Sequence, residues 1–224
     1  IAAILRILRR ISAKESIQHE SSDINGSPHE KGCTYTALSL IAGELKAQGI
    51  ETEILHVGGQ PVGGCIGCGG CRSGNGCVFG GVVNEAIEKA KTADAFVFGS
   101  PVHYASAAGN MASFMDRLAY AGGKYLAYKP AAICCSARRA GTTSTLDQLV
   151  KYPQFFHMPL VNGSYWAMVH GSNPEQVLQD AEGCAVMQEL GRNMAWLLRC
   201  IEAGKAAGID HPQNPPRPMT NFIR

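Results

Sequence analysis

The chain has 224 residues, 46% of them hydrophobic and 17% charged, with a formal net charge of +2; this is enough to bury the core of one domain. Its Lys and Arg residues are scattered rather than clustered, which argues against a nucleic-acid partner. No apolar run approaches the roughly 20 residues that cross a bilayer, so stable membrane insertion is not expected, and no secretory leader pattern opens the sequence, which favours a cytoplasmic location.

Residues 1–24 resist assignment. "IAAILRILRRI" carries Ile1, Ile4, Leu5, Leu8 and Ile11 at a spacing that fits an amphipathic helix as well as a strand. It reads either as a basic helix that lies on a surface or membrane, or as a packing element or an altered start. The following "KESIQHESSDINGSP" is polar where a doubly wound sheet needs an apolar first strand.

From Thr34 to Gln48, Leu38, Ile41, Ala42 and Leu45 recur at helical spacing and Gly49 supplies a stop. "ETEILHV" then reads as a strand, "VVNEAIEKAKTA" as a helix, "DAFVFGS" as a buried strand and "AGNMASFMDRLAYA" as a helix. "PAAICCS" predicts a strand, "TTSTLDQLVKY" a helix, "MPLVNGS" a weaker strand, and Pro174 to Ala207 a long helical region. This alternation predicts an α/β fold: a flavodoxin-like doubly wound five-stranded parallel sheet with helices on both faces, its ligands at the carboxyl ends of the strands. The expected organisation is an uncertain segment over 1–24, one domain over 25–207 with a cysteine-rich loop at 63–81, and an extended proline-rich tail over 208–224.

Three strand-to-helix loops fall at one edge of that sheet. In "NGSPHEKGCT", residues 25–34, Gly26 and Gly32 permit close backbone approach, while Ser27, Cys33 and Thr34 offer donors at a helix amino terminus, which suits a phosphate; taken alone, the stretch is equally a turn and a capped helix. In "GSPVHYASAAGN", Pro101 fixes the backbone and His103 and Tyr104 supply flat surfaces suited to an aromatic ring system. "CSARRAGTT" follows the next strand into another helix.

In this order and spacing, "NGSP" with "KGCT", "FGSPVHYASAAG" and "CSARRAG" resemble the flavodoxin-fold family of NAD(P)H-dependent FMN reductases from Asn25 to the end of the chain, and the four-cysteine stretch resembles its iron-sulfur flavoprotein branch. The resemblance implies that Ser27, Cys33 and Thr34, with the Gly32 backbone, hold the FMN phosphate. Pro101, Val102, His103 and Tyr104 would line the isoalloxazine, and Ser136, Arg138, Arg139 and Gly141 would close the other side. His103 stands where many relatives carry an aromatic residue.

The stretch "GGCIGCGGCRSGNGC" places Cys65, Cys68, Cys71 and Cys77 within thirteen residues, as C-x-x-C-x-x-C and one more cysteine after five residues. Structural zinc sites usually separate two Cys-x-x-Cys units by a longer segment, and ferredoxin runs put a proline after the fourth cysteine, whereas Val78 follows Cys77. A single [4Fe-4S] cluster on these four thiols is one reading; free thiols or a labile redox pair in a reductase that uses FMN alone is the other. Cys134 and Cys135, on a buried strand, read as packing residues, as do Cys184 and Cys200 on the last helix. Asp116 and Arg117 read as a surface or interface pair. Tyr165 or Trp166 would cap a flavin or lie in the core or an interface, and His157 and His170 have no partner visible in the sequence.

Together these features predict an FMN-dependent oxidoreductase that moves electrons between NAD(P)H or ferredoxin and an acceptor. The alternatives are a cluster-free NAD(P)H:FMN or quinone reductase and a non-catalytic electron carrier. Arg138 and Arg139 would stabilise an anionic reduced flavin or bind a nicotinamide phosphate. The resemblance also implies a homodimer or homotetramer, and ferredoxin or another redox protein as partner.

Overall fold

The computed structural model describes residues 19–216, 218–220 and 222; the apolar stretch at the start of the sequence lies outside the described residues. The chain runs β1 (Glu20–Asn25), α1 (Cys33–Ala47), β2 (Glu51–His56), α2 (Val82–Thr92), β3 (Ala95–His103), β4 (Ser106–Ala107) and α3 (Gly109–Gly122). It continues through β5 (Ala131–Ala137), α4 (Thr142–Phe155), β6 (Met168–His170), the single turn α5 (Pro174–Val177) and α6 (Ala181–Ala206). The strand order is β2-β1-β3-β5-β6, all parallel, with β4 folded back antiparallel on β3. The doubly wound five-stranded parallel sheet expected from the sequence is therefore present, with β4 added.

Alternation along β3 separates the core into two layers. Phe96 and Phe98 pack with Val83 and Ile87 of α2, Met111, Phe114 and Leu118 of α3, and Leu149 of α4. Ala95 and Val97 face the other way, toward Leu38, Ile41 and Leu45 of α1 and Met187, Leu190 and Met194 of α6. The period of two in the strand meets apolar stripes of helical period on both sides, which is what buries a parallel sheet.

The first strand corrects the sequence reading. "ESSDIN" forms β1, and it occupies the sheet interior, paired with β2 on one side and β3 on the other. The sheet thus begins at Glu20, inside the segment read as unassignable and ahead of the domain boundary placed at Asn25. Ser21, Ser22, Asp23 and Asn25 are all buried, with Ile24 the lone large apolar residue among them. Both backbone edges of β1 are satisfied by neighbouring strands, and small polar side chains let those neighbours close over it. Ser21 Oγ donates to Asp23 Oδ1 at 2.7 Å, while Asp23 Oδ2 and Ser22 Oγ have no partner among the described residues.

A second correction concerns the far edge. "MPLVNGS" does not form the outer strand; it touches β5 only through an isolated bridge between Ala131 and Leu160. The edge is β6, at Met168–His170, on the register Cys135 to Met168. The long helical region divides into α5 and α6, because Asp180 caps α6 with its side chain, accepting from the Gly183 amide at 2.9 Å.

Candidate functional site

The three loops meet at the carboxyl edge of the sheet. After β1, Gly26 donates its amide to Gly99 O at 2.9 Å, so the first loop leaves the sheet alongside β3. Asn25 then shapes it: its Oδ1 accepts from the Ser27 amide at 3.1 Å and its Nδ2 donates to Glu30 O at 2.9 Å. His29 donates its amide to Ser27 Oγ at 3.1 Å. Gly58 makes this loop possible from behind, since a Cβ there would fall 2.1 Å from Ser27 O. His56 Nε2 lies 2.8 Å from the same carbonyl.

The loop delivers the chain into α1 through Gly32, which gives no side-chain cap, and the first turn carries no acidic residue. The positive end of the helix dipole and its unsatisfied amides are thus left open to an anion. Thr34 Oγ1 lies 2.8 Å from Ser136 Oγ, so the first loop and the end of β5 are joined directly, and Ser27, Thr34 and Ser136 are all buried. Cys33 differs: its thiol donates to Gly171 O at 3.6 Å, and burial pushes its pKa up. Its contribution at the helix start is its amide, while its sulfur is turned toward the end of β6.

The sequence reading ended the strand before the second loop at Ser100. Instead β3 continues to His103, turns through Tyr104 and Ala105 at left-handed φ of 51° and 59°, and returns as β4. Pro101 and Val102 are half-buried, while His103 and Tyr104 project into solvent, Tyr104 completely. The third loop buttresses this hairpin. Gly141, at φ 89°, brings its Cα so near that a Cβ would lie 2.7 Å from Ala105 Cα, and Ser144 Oγ donates to Ala105 O at 2.6 Å. Gln148 Oε1 accepts from Ser106 Oγ and the Ala107 amide. Arg138 and Arg139 are exposed beside it. The arrangement is a buried hydroxyl and amide cradle at one end and an exposed, backbone-fixed hairpin at the other, which fits a phosphorylated planar cofactor.

The cysteine-rich stretch lies between β2 and α2, where Cys65, Cys68, Cys71 and Cys77 all line one hollow of about 330 Å³. Its wall also includes Arg72, Phe79, Arg117 and Tyr120, and no carboxylate or histidine. Among the described residues, no His, Cys, Asp or Glu side chains are gathered as a single metal ion would require. A donor set made only of thiols suits the ligation of an iron-sulfur cluster. All nine cysteines are free thiols.

Helix α3 joins the two regions. It starts just after the hairpin, and near its start Asn110 donates to Gly58 O and Gln60 O and accepts from the Val62 amide. Two turns on, Arg117 reaches the cysteines: its Nε donates to Cys77 Sγ at 3.2 Å. Arg117 is buried at 6% exposure, and Asp116 turns elsewhere, accepting from Tyr152 OH at 2.6 Å. Asp116 is exposed, so the reading of the two as a surface or interface pair is corrected for Arg117, which is buried and turned to the cysteines. The only trace of it in the sequence is the i, i+7 spacing of Asn110 and Arg117, which puts them on one helical face.

Other expectations are resolved by burial. Cys134 and Cys135 are core residues, and burial pushes Cys135 up to about 12 and Cys134 higher still, so neither supplies a thiolate. Cys184 is half-buried and donates to Val177 O, whereas Cys200 is exposed. Tyr165 and Trp166, in edge contact at 4.7 Å, line a hollow with Leu146, Val150 and Leu190 rather than the three loops. His157 stacks on Tyr128, and His170 faces Asp180 at 3.4 Å.

The family model described as NADPH-dependent FMN reductase matches residues 23–173, a span that starts inside β1 and contains all three loops and the four cysteines. An iron-sulfur flavoprotein of Methanocaldococcus jannaschii is 26% identical over 187 residues, covering 80% of this chain and 97% of its own. One from Archaeoglobus fulgidus is 35% identical over 94 residues, covering 42% of this chain and 46% of its own. Among solved structures, an NADH:FMN oxidoreductase superposes with a TM-score of 0.60 at 17% identity, covering 80% of this chain and 90% of that one. An archaeal flavodoxin superposes at 0.55 and 13% identity, covering 80% and 99%. These two likenesses concern the fold.

Proposed function

Because the chain belongs to the NADPH-dependent FMN reductase family and is thus a flavin oxidoreductase that uses FMN, we propose that it carries electrons from NAD(P)H or a reduced ferredoxin to an acceptor through FMN and a [4Fe-4S] cluster. The observation that carries this reading is the position of the four cysteines around one hollow, attached by α3 to the loops of the flavin site. The printed names of the curated relatives, iron-sulfur flavoproteins, support it.

Ser27, Thr34, Ser136 and the amides opening α1, those of Cys33 and its neighbours behind Gly32, would hold the phosphate. The backbone of Pro101 and Val102 would support one edge of the ring system, and His103 and Tyr104 would close over it from the hairpin. Gly141 keeps the third loop close enough to support that hairpin, and Arg138 and Arg139 add positive charge for an anionic reduced flavin or a nicotinamide phosphate. Cys65, Cys68, Cys71 and Cys77 would ligate the cluster. When bound, the flavin accepts electrons in pairs and the iron-sulfur centre passes them singly. The protein's part is orientation and charge, and none of these side chains needs to act as a general acid.

Among the described residues no helix is long and apolar enough to cross a membrane, and cysteines that form no disulfide suit a reducing compartment such as the cytoplasm. The test is anaerobic turnover with NADH, NADPH or reduced ferredoxin as donor and an artificial acceptor. Multiple turnovers with one of these donors are expected. Flavin that is reduced and reoxidised only by partner proteins, with no turnover, would make the chain an electron carrier instead.

A further inference from the structure

Arg117 is buried, yet among the described residues it meets no carboxylate. Its Nε donates to Cys77 Sγ at 3.2 Å, its Nη1 to Gly63 O at 3.4 Å and its Nη2 to Gly80 O at 3.0 Å. One planar guanidinium therefore ties both ends of the cysteine-rich stretch to α3, and it lies 5.6 Å from the Phe79 ring centroid. A guanidinium stays charged at any pH a protein survives, and a buried charge without a counter-charge is costly. The side chains that face it across the hollow are the cysteines, with Arg72 as a second cation and no acid among them.

Cys77 is also the most firmly held of the four. Asn84 of α2 clamps its backbone from both sides, accepting from the Cys77 amide at 2.7 Å and donating to its carbonyl at 3.0 Å. Cys65 and Cys68 are exposed on the loop, and Cys71 sits on the short turn at Gly70–Ser73. The stretch thus has one ligand fixed by two helices and others carried by a glycine-rich segment.

We propose that Arg117 is a positioning residue for the cysteine site: it fixes Cys77, closes the loop through Gly63 and Gly80, and offsets the negative charge of an iron-sulfur cluster bound there. The proposal rests on the cluster reading given above. A thiolate-ligated cluster is anionic and gains further negative charge on reduction, so a donating cation at one ligand sulfur stabilises the reduced form and raises the reduction potential. Lysine retains the charge but cannot reach three acceptors in one plane, and methionine removes the charge and the donors while leaving an apolar stem of similar length.

The experiment compares the full-length protein with Arg117→Met and Arg117→Lys, purified without oxygen. It measures FMN, iron and sulfide content, the rate of iron loss to a chelator and the midpoint potential of the iron-sulfur absorption. With FMN content unchanged, both variants should lose iron faster by roughly 10–100-fold. Arg117→Met should also have a more negative potential, with Arg117→Lys remaining near the unaltered protein. Complete loss of iron from Arg117→Met with FMN retained is the extreme form of the expected result. If Arg117→Met loses FMN as well, Arg117→Lys decides: faster iron loss supports the proposal and an unchanged rate overturns it. Unchanged iron retention and potential in Arg117→Met likewise overturn it. Failure of the cluster reading would be distinct, because the unaltered protein would then bind FMN and contain no iron.

Discussion

Asp23 lies wholly buried on β1, at the centre of the sheet, and burial lifts its carboxyl from 3.8 to about 7 despite the Ser21 hydroxyl that donates to it and the charge of Lys46. The folded chain therefore keeps this proton up to about pH 7, whereas the unfolded chain releases it near its ordinary value. Between those limits the folded state binds more protons, so the Asp23 contribution to stability falls as pH rises. The loss is on the order of a few kcal/mol across that window. Asp23→Asn, whose amide never ionises, should escape this decline. Thermal unfolding from pH 5 to pH 8 should show the variant gaining on the original chain as pH rises, and a pH-independent difference would contradict the assignment. No window of hydropathy reveals such a residue, because what decides its state is the pair of strands that close over it. Arg117 was hidden for the same reason. The cysteines were legible by their spacing, but the cation that meets Cys77 comes from a helix forty residues further on.

At the scale of elements, α1 to α4 were legible as regular apolar stripes, whereas α5 and α6 ran together as one region. The strands buried on both faces, β3 and β5, were legible as short apolar runs. Three strands were not: β4, only two residues long, follows β3 after a tight turn. β1 is polar because its hydrogen-bonded neighbours, rather than its side chains, place it in the interior, and β6 is so short that "MPLVNGS" upstream outweighed it in apolar content. The cysteine-rich element has a further property that only the structure displays: around its hollow, Ile66, Val78, Phe79 and Tyr120 are 69%, 61%, 55% and 74% exposed. Such an apolar rim on a glycine-rich loop is unfavourable in water. We propose that a second copy of the chain covers it, in keeping with the homodimer or homotetramer implied by the sequence resemblance. Light scattering should then give a multiple of the 23.8 kDa chain mass, and Phe79→Glu with Tyr120→Glu should lower it toward the monomer. A monomer for the original chain at working concentration would contradict the proposal.

At the scale of the molecule, the fold shows how the two sets of motifs are connected. All three cofactor loops leave the same edge of the sheet, and α3 runs from the hairpin of the second loop to the fourth cysteine, with Asn110 and Arg117 gripping the cysteine-rich stretch along the way. Under the proposed function, attachment of both regions to one helix would hold the flavin and the cluster at a fixed separation. The sequence contained the loops and the thiols; the helix that connects them emerged only from packing. The central claim is that one chain holds both FMN and an iron-sulfur cluster. The most direct test is flavin, iron and acid-labile sulfide analysis of the protein purified without oxygen. The account predicts about one flavin with about four iron and four sulfide per chain. Flavin without iron would contradict the cluster and leave a reductase with free thiols, and absence of flavin would contradict the assignment of the three loops.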